Sequence, residues 1–275
     1  MGKNALKDAA WTLFIISIVV FLYAYKPSYK SGPYVLITVD VERDIPPFLD
    51  SYDGVTQGVP IILDVLKDQN VKATFFVTGN VATRYPDIVG QIAAKGHEIG
   101  GQGFMHENLS SLGYDEKHEV INKTTTLLKE FDVKSFRPPY QSSDEEVMNI
   151  LEELGYCAEA SYERGDETHI IVIDDRNRNM VKITSEPLFY PSSTYPSSWI
   201  DVYNDALEKN EKTKTIVVGL HSWEVLSMPD VEGAEEYVRA SGNYTYTNLV
   251  TLIEHLKKQK VKFLTASDVC KLLLR

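Results

Sequence analysis

Carboxylates, imidazoles and a guanidinium recur in this 275-residue chain at the ends of short β-rich runs. Asp40 and Glu42 follow Tyr34 to Val39 (YVLITV), Gln102 and His106 follow the run from His97 to Gly101, and Arg137 and Tyr140 close the run that starts at Ser135. His221, Trp223 and Glu224 end the run that starts at Ile216. Together these side chains can supply a metal-ligand set, a general base, a general acid and an orienting charge. Alternate residues of a strand point to the same side, so the carboxylates of Asp40 and Glu42 are expected to face one way.

The elements that must position them alternate in type along the chain. Strand patterns at 34–39, 73–78, 97–101, 135–138, 156–161, 170–173, 216–221 and 262–265 are separated by helical patterns at 59–69, 82–95, 115–131, 144–154, 200–209 and 246–258. Near-continuous Val, Ile and Phe in the strands predicts a parallel sheet covered by helices, open or closed into a barrel. In such folds the C-terminal strand ends converge on one mouth, where ligands bind. The stretch from Glu163 to Ser198, with 174-DDRNRN-179 and YPSSTYPSSW, breaks the rhythm and reads as an insertion or rim hairpin, not a second domain.

Composition sets the limits. With 43% hydrophobic and 24% charged residues the chain is of globular type, and a formal charge of −11 gives no general attraction to phosphate backbones, so nucleic acid is excluded as an expected partner. Cys157 and Cys270 lie in apolar segments and read as small core hydrophobes, with a single disulfide as the alternative. Residues 9–25 (AAWTLFIISIVVFLYAY) carry no charge and are long enough to cross a bilayer core, with Trp11, Tyr23 and Tyr25 at the ends. No small-residue cleavage pattern comes after them, so an uncleaved N-terminal transmembrane helix is expected. Lys3 and Lys7 balance Lys26 and Lys30, which leaves orientation open. The expected division is residues 1–30 as anchor and linker and residues 31–275 as the catalytic domain.

Four motifs in order, 38-TVDVE-42, 96-GHEIGGQGFMHENLSSL-112, 137-RPPY-140 and 220-LHSWE-224, resemble those of the polysaccharide deacetylase family, carbohydrate esterase family 4 or NodB-homology domain. The likeness runs from about Tyr34 to Leu274 and includes 73-ATFFVTGNVATRYPDIV-89. The resemblance implies a distorted (β/α) barrel with fewer than eight regular strands, and metal-assisted hydrolysis of an N-acetyl amide on a sugar. It assigns Asp40 as the base, Arg137 as its charged partner, the Tyr140 N–H as an oxyanion donor and His221 as the acid that protonates the departing amine. A divalent ion, usually zinc, would activate water. Tyr140 and Trp223 would either wall a sugar subsite or fill the core. His97 would serve packing and hydrogen bonding, and His118 reads as surface.

The metal motif departs from the family pattern. Gln102 stands where the first ligand His belongs, and Val41 stands where the acidic ligand belongs. The implied set becomes Glu42, Gln102 and His106, a poor zinc site because an amide oxygen is a weak zinc ligand; zinc is still the expected metal, with a weaker or harder ion as the alternative. The Asp-Val-Glu and His-x-Trp-Glu variants resemble a branch containing exopolysaccharide-locus deacetylases and some amide or imide hydrolases. The expectation is a membrane-anchored, outward-facing hydrolase acting on N-acetylated cell-surface polysaccharide. The alternatives are a carbohydrate-binding pseudoenzyme and a hydrolase of a small amide or cyclic imide.

Overall fold

A computed structural model describes residues 33–161, 170–172, 180–183, 198–209 and 215–274. The chain divides into Met1–Gly32 and Pro33–Arg275, and the described residues all belong to the second unit. The expected transmembrane helix over residues 9–25 and most of the stretch from Glu163 to Ser198 lie outside the described residues. No helix among the described residues is long and apolar enough to cross a membrane.

The described strands form one sheet. They are β1 (Tyr34–Val41), β2 (Thr74–Val77), β3 (Glu98–Gly101), β4 (Ser135–Phe136), β5 (Ala158–Glu159), β6 (Ile170–Val172), β7 (Val181–Ile183), β8 (Thr215–His221) and β9 (Lys262–Leu264). Their order is β6-β7-β5-β4-β3-β2-β1-β8, with β9 beside the first residues of β1. All pairings are parallel except β6 with β7, so the predicted rim hairpin contains an antiparallel pair. The result is a curled parallel half-barrel in which only β1 and β8 exceed four residues. β7 has no counterpart among the predicted strands.

Alternation along β1 explains both faces of the sheet. Val35, Ile37, Val39 and Val41 belong to the outer core beneath the helices, whereas Leu36 belongs to an inner core with Phe76, Ala158 and Val217. Thr38 and Asp40 share the inner face with Leu36 by the period of two. Register then carries the chemistry across the sheet. Val41 pairs with Val77, Val77 with Gly101, and Gly101 with Phe136, so Glu42, Gln102 and Arg137, each one residue further on, stand at one level. Asp40 pairs with His221 directly on β8.

The described α-helices are α1 (Val59–Gln69), α2 (Gly79–Arg84), α3 (Pro86–Ala94), α4 (Tyr114–Leu127), α5 (Glu145–Glu153), α6 (Trp199–Lys209), α7 (Glu235–Ala240), α8 (Asn243–Lys258) and α9 (Ala266–Leu273). Their ends obey local chemistry: the Asp144 carboxylate accepts from the Val147 N–H ahead of α5, and Thr265 and Asp268 cap α9 reciprocally. α9 lays Ala266, Val269 and Cys270 against the inner core.

Cys270 on α9 is joined to Cys157, 113 residues earlier. This corrects the reading of both cysteines as free core hydrophobes: their Cα atoms are 6.0 Å apart, within the range a disulfide spans. Closing so long a loop restricts the unfolded chain, so reduction, or Cys157→Ala, is expected to remove about 2–4 kcal/mol of stability. For a domain of this size that corresponds to roughly 4–16 °C in melting temperature. Thermal melts with and without reductant check it, and coincident melts would show that the bridge carries no stability.

Candidate active site

The strand ends converge on a pocket of about 110 Å³ whose lining includes Asp40, Gln102, His106, Tyr140 and His221. Arg137, buried behind it, donates from Nη1 to Asp40 Oδ1 at 2.5 Å and from Nη2 to Thr38 Oγ1 at 3.0 Å. Its guanidinium lies 4.3 Å from the Phe76 ring centroid, so β1 and β2 together fix its plane. One inner-face strand residue, Thr38, thus orients the arginine that pairs with the next, Asp40.

Across the pocket, His221 Nε2 stands 3.9 Å from Asp40 Oδ2 and 3.8 Å from Glu42 Oε1. The other ring nitrogen, Nδ1, is 2.7 Å from Glu224 Oε1. The 3-10 turn Ser222–Val225 brings residues 221 and 224 together. Burial opposes a charged imidazole here, but the hydrogen bond and charge of Glu224, joined by Glu42 and Asp40, outweigh it and push His221 up to about 9. At neutral pH it is an imidazolium with a proton on Nε2, facing Asp40.

The third pair is Glu42 with His106, whose Nε2 lies 3.0 Å from Glu42 Oε2. Burial raises the Glu42 carboxyl, yet the neighbouring His106, His221 and Arg137 hold it below its ordinary value overall. His106 occupies the left-handed region at φ 66. The turn that puts it there is tied by Glu107, whose carboxylate accepts from the Phe104 and Met105 N–H groups at 2.9 Å each. Tyr140, also left-handed at φ 56, meets the His106 ring edge-on at 4.6 Å and stands 57% exposed at the mouth.

All the catalytic and ligand positions singled out in the sequence, Asp40, Arg137, Tyr140, His221, Glu42, Gln102 and His106, come together at this end of the sheet. Trp223 is 2% exposed, stacks on His221 at 5.2 Å, meets Tyr237 edge-to-face at 6.4 Å and still lines the pocket, so it packs behind the imidazole and forms part of the wall. Sequence reasoning placed Glu224 among the strand-end side chains without a role of its own and gave Thr38 none. The signal for Glu224 is an acid three residues after a histidine in a tight turn. His97 keeps its packing role: its Nδ1 accepts from the Ala73 N–H at 3.2 Å, its ring meets Phe75, and burial with Lys72 and Lys95 nearby depresses it to about 4. His118 lies on the α4 surface, 3.5 Å from Glu153.

The raised His221 value has a sign that can be checked. A group whose folded value exceeds its unfolded one, about 9 against 6.5, contributes stability that is fully present below about pH 6.5 and is lost as pH rises through 9. In chelator, the wild type is therefore expected to lose melting temperature across that window. Glu224→Gln, lacking the charge that raises His221, is expected to give a flatter profile. Parallel profiles from pH 6 to 10 would refute the coupling.

The implied metal ion can be tested against these residues. Glu42 Oε2 and Gln102 Oε1 are buried acceptors without an aligned hydrogen bond. Two donors of one tetrahedral zinc ion at 2.0–2.2 Å stand about 3.3–3.6 Å apart, so the Glu42–His106 spacing of 3.0 Å is that of a hydrogen-bonded ion pair, which would open slightly for both to ligate an ion. Glu42, His106 and the Gln102 oxygen are the side chains that would hold a divalent ion here, with one neutral ligand in place of a charged or imidazole one. Among the described residues no three His, Cys, Asp or Glu side chains converge as a metal-binding group.

A curled parallel sheet with carboxylates, imidazoles and a guanidinium gathered at its strand ends is a (β/α) half-barrel with its polar side chains at the mouth. The polysaccharide deacetylase family profile matches residues 30–158, 129 of the 275 residues. It is 38% identical over 134 residues to a peptidoglycan-N-acetylglucosamine deacetylase of Bacillus cereus, covering 48% of this chain and 44% of that protein. The chain therefore spans less than half the length of that relative. Its fold is similar to that of a probable polysaccharide deacetylase of Pseudomonas aeruginosa (TM-score 0.67, 13% identity, 88% and 91% of the two chains). It is also similar to that of a carbohydrate esterase family 4 pseudoenzyme of Bacillus anthracis (TM-score 0.56, 20% identity, 87% and 66%).

Proposed function

We propose that this chain hydrolyses N-acetyl amide groups on a cell-surface polysaccharide. The observation that carries the reading is the opposition of Asp40, held by Arg137, to His221, held by Glu224, with 3.9 Å between them in one pocket. Asp40 takes the proton of the attacking water, and the His221 imidazolium gives its Nε2 proton to the departing amine, without which the tetrahedral intermediate collapses back to amide. Arg137 and Thr38 keep Asp40 aimed at the pocket. A divalent ion at Glu42, His106 and Gln102 supplies Lewis acidity to the acyl oxygen when bound. The exposed Tyr140 ring gives an extended sugar a surface to rest on, which favours a polymer over a small amide or imide. Incubating the full chain in detergent with chitooligosaccharides and with peptidoglycan, with a panel of divalent ions, and assaying free acetate tests it. No acetate under any condition would end the claim for those substrates.

The neutral Gln102 favours a second reading, a pseudoenzyme that keeps the sugar-binding mouth without the chemistry; the metal content of the purified chain separates the two. The membrane anchor over residues 9–25 and an outward-facing domain remain part of the proposal. A disulfide suits an oxidising, extracytoplasmic compartment. Protease accessibility of the domain in intact cells tests that placement, and full protection would reverse it.

A further inference from the structure

Two glycines press on the turn that carries the acid. A π-helical turn, Gly54–Gly58, opens α1, and both of its end glycines are buried. A β-carbon on Gly54 would stand 2.6 Å from the Trp223 backbone nitrogen and 2.7 Å from Asp44 Oδ1, and one on Gly58 would fall on the Ser222 carbonyl oxygen. Side chains do not approach backbone atoms that closely, so only glycine lets the two segments touch here. Backbone freedom does not account for Gly58. It has ordinary helical angles, φ −68 and ψ −46, at which alanine is the better helix former. What glycine supplies at this position is close approach to the turn Ser222–Val225.

The π turn is itself tied down. Asp44, fully buried, accepts from the Ser51 hydroxyl and the Asp53 N–H at 2.7 Å each through Oδ2, and from the Gly54 N–H at 2.9 Å through Oδ1. The Ser222–Val225 turn has a second tie, from the Gly242 N–H to the Glu224 carbonyl at 2.8 Å. Through these contacts the segment after β1, which ends in the base Asp40, meets the segment after β8, which ends in the acid His221. π turns are rare and recur at functional sites. What depends on this one is the 2.7 Å contact of Glu224 with His221 and the stacking of Trp223 on the same ring. We propose that Gly54 and Gly58, on the π turn fixed by Asp44, are positioning residues: they set the depth at which the Ser222–Val225 turn sits and so aim the His221 Nε2 proton at the departing amine. The inference rests on the deacetylase reading above and adds to it residues that touch no substrate.

The test compares the full-length wild type with Gly54→Ala and Gly58→Ala. Gly90→Ala is the control, since a β-carbon there, within α3, meets nothing within 4 Å. Two substrates divide the chemistry. An N-acetyl chitooligosaccharide must have its amine protonated as it leaves, whereas 4-nitrophenyl acetate releases an aryl oxide that departs without a proton. A misplacement of about 1 Å costs roughly 10²-fold, so the amide kcat is expected to fall roughly 10–100-fold at unchanged KM in both glycine variants, with the ester kcat close to wild type. In a variant that melts cooperatively, amide turnover retained, or amide and ester turnover lost together, overturns the proposal. Should neither glycine variant melt cooperatively, Asp44→Asn takes their place with the same expected split, because it keeps one accepting oxygen and turns an amide N–H toward the N–H groups of the π turn. The proton between His221 Nδ1 and Glu224 gives a readout apart from turnover. Its low-field NMR signal is expected in the wild type and in Gly90→Ala, and is expected to move upfield or vanish in the variants of the π turn. An unchanged signal in those variants, or none in the wild type, overturns the proposal. If the signal answers to the π turn while no protein releases acetate, the deacetylase reading fails and the positioning stands.

Discussion

Asp40→Asn is expected to lower the kcat for acetate release by about 10²–10⁴-fold while leaving the protein folded. Asparagine keeps an oxygen that can accept from Arg137 Nη1, so the buried guanidinium still has a partner beside Thr38 and Phe76. It cannot take a proton from water. Asp40→Ala separates the structural role from the chemical one. Removing the acceptor strands Arg137, which is 2% exposed, and breaking a buried pair in this way costs about 3–5 kcal/mol. The two variants should therefore be similarly inactive but differ in melting temperature, Asn close to wild type and Ala well below it. Acetate release by Asp40→Asn within tenfold of wild type would remove Asp40 from the base role and make Glu42, 3.8 Å from His221 on its other oxygen, the better candidate.

Legibility in the sequence depends on which signals are local. The near-continuous apolar run of β1, Tyr34 to Val39, and the motif residues at strand ends could be read directly. A buried parallel strand leaves a hydrophobic run, and the strand-end rule places the polar residues just beyond that run at the mouth. The level shared by Glu42, Gln102 and Arg137 could not be read, since it depends on register across four strands. The same holds for β7 and for the disulfide. Val181–Ile183 is too short to show a period, and the approach of Cys157 to Cys270 depends on α9 filling the interior of the curled sheet. Trp223 illustrates another limit. An aromatic beside a histidine at a strand end reads equally as sugar platform or as packing, and the turn at Ser222–Val225, which folds Glu224 under the imidazole and stacks Trp223 against it at the pocket wall, leaves no mark in the sequence.

Gln102→His is expected to raise zinc affinity by about 10²-fold or more, because it exchanges a neutral oxygen for an imidazole beside Glu42 and His106. The position can accept the change: Gln102 is 1% exposed, its Oε1 has no hydrogen-bond partner to lose, and its backbone N–H remains bonded to the Val77 carbonyl at 3.1 Å. Metal content and calorimetric affinity read the effect apart from turnover, and acetate assays on the same samples then sort the two functional readings. Wild type that already holds a stoichiometric divalent ion and releases acetate is a hydrolase working with a harder ion, and the variant should shift its preference toward zinc. Wild type that holds none and is inactive, beside a variant that gains both properties, is the pseudoenzyme, one ligand short of a working centre. A variant that gains no metal refutes the ligand assignment itself, because Glu42 Oε2 and His106 Nε2, 3.0 Å apart, would then be a simple ion pair supporting the mouth.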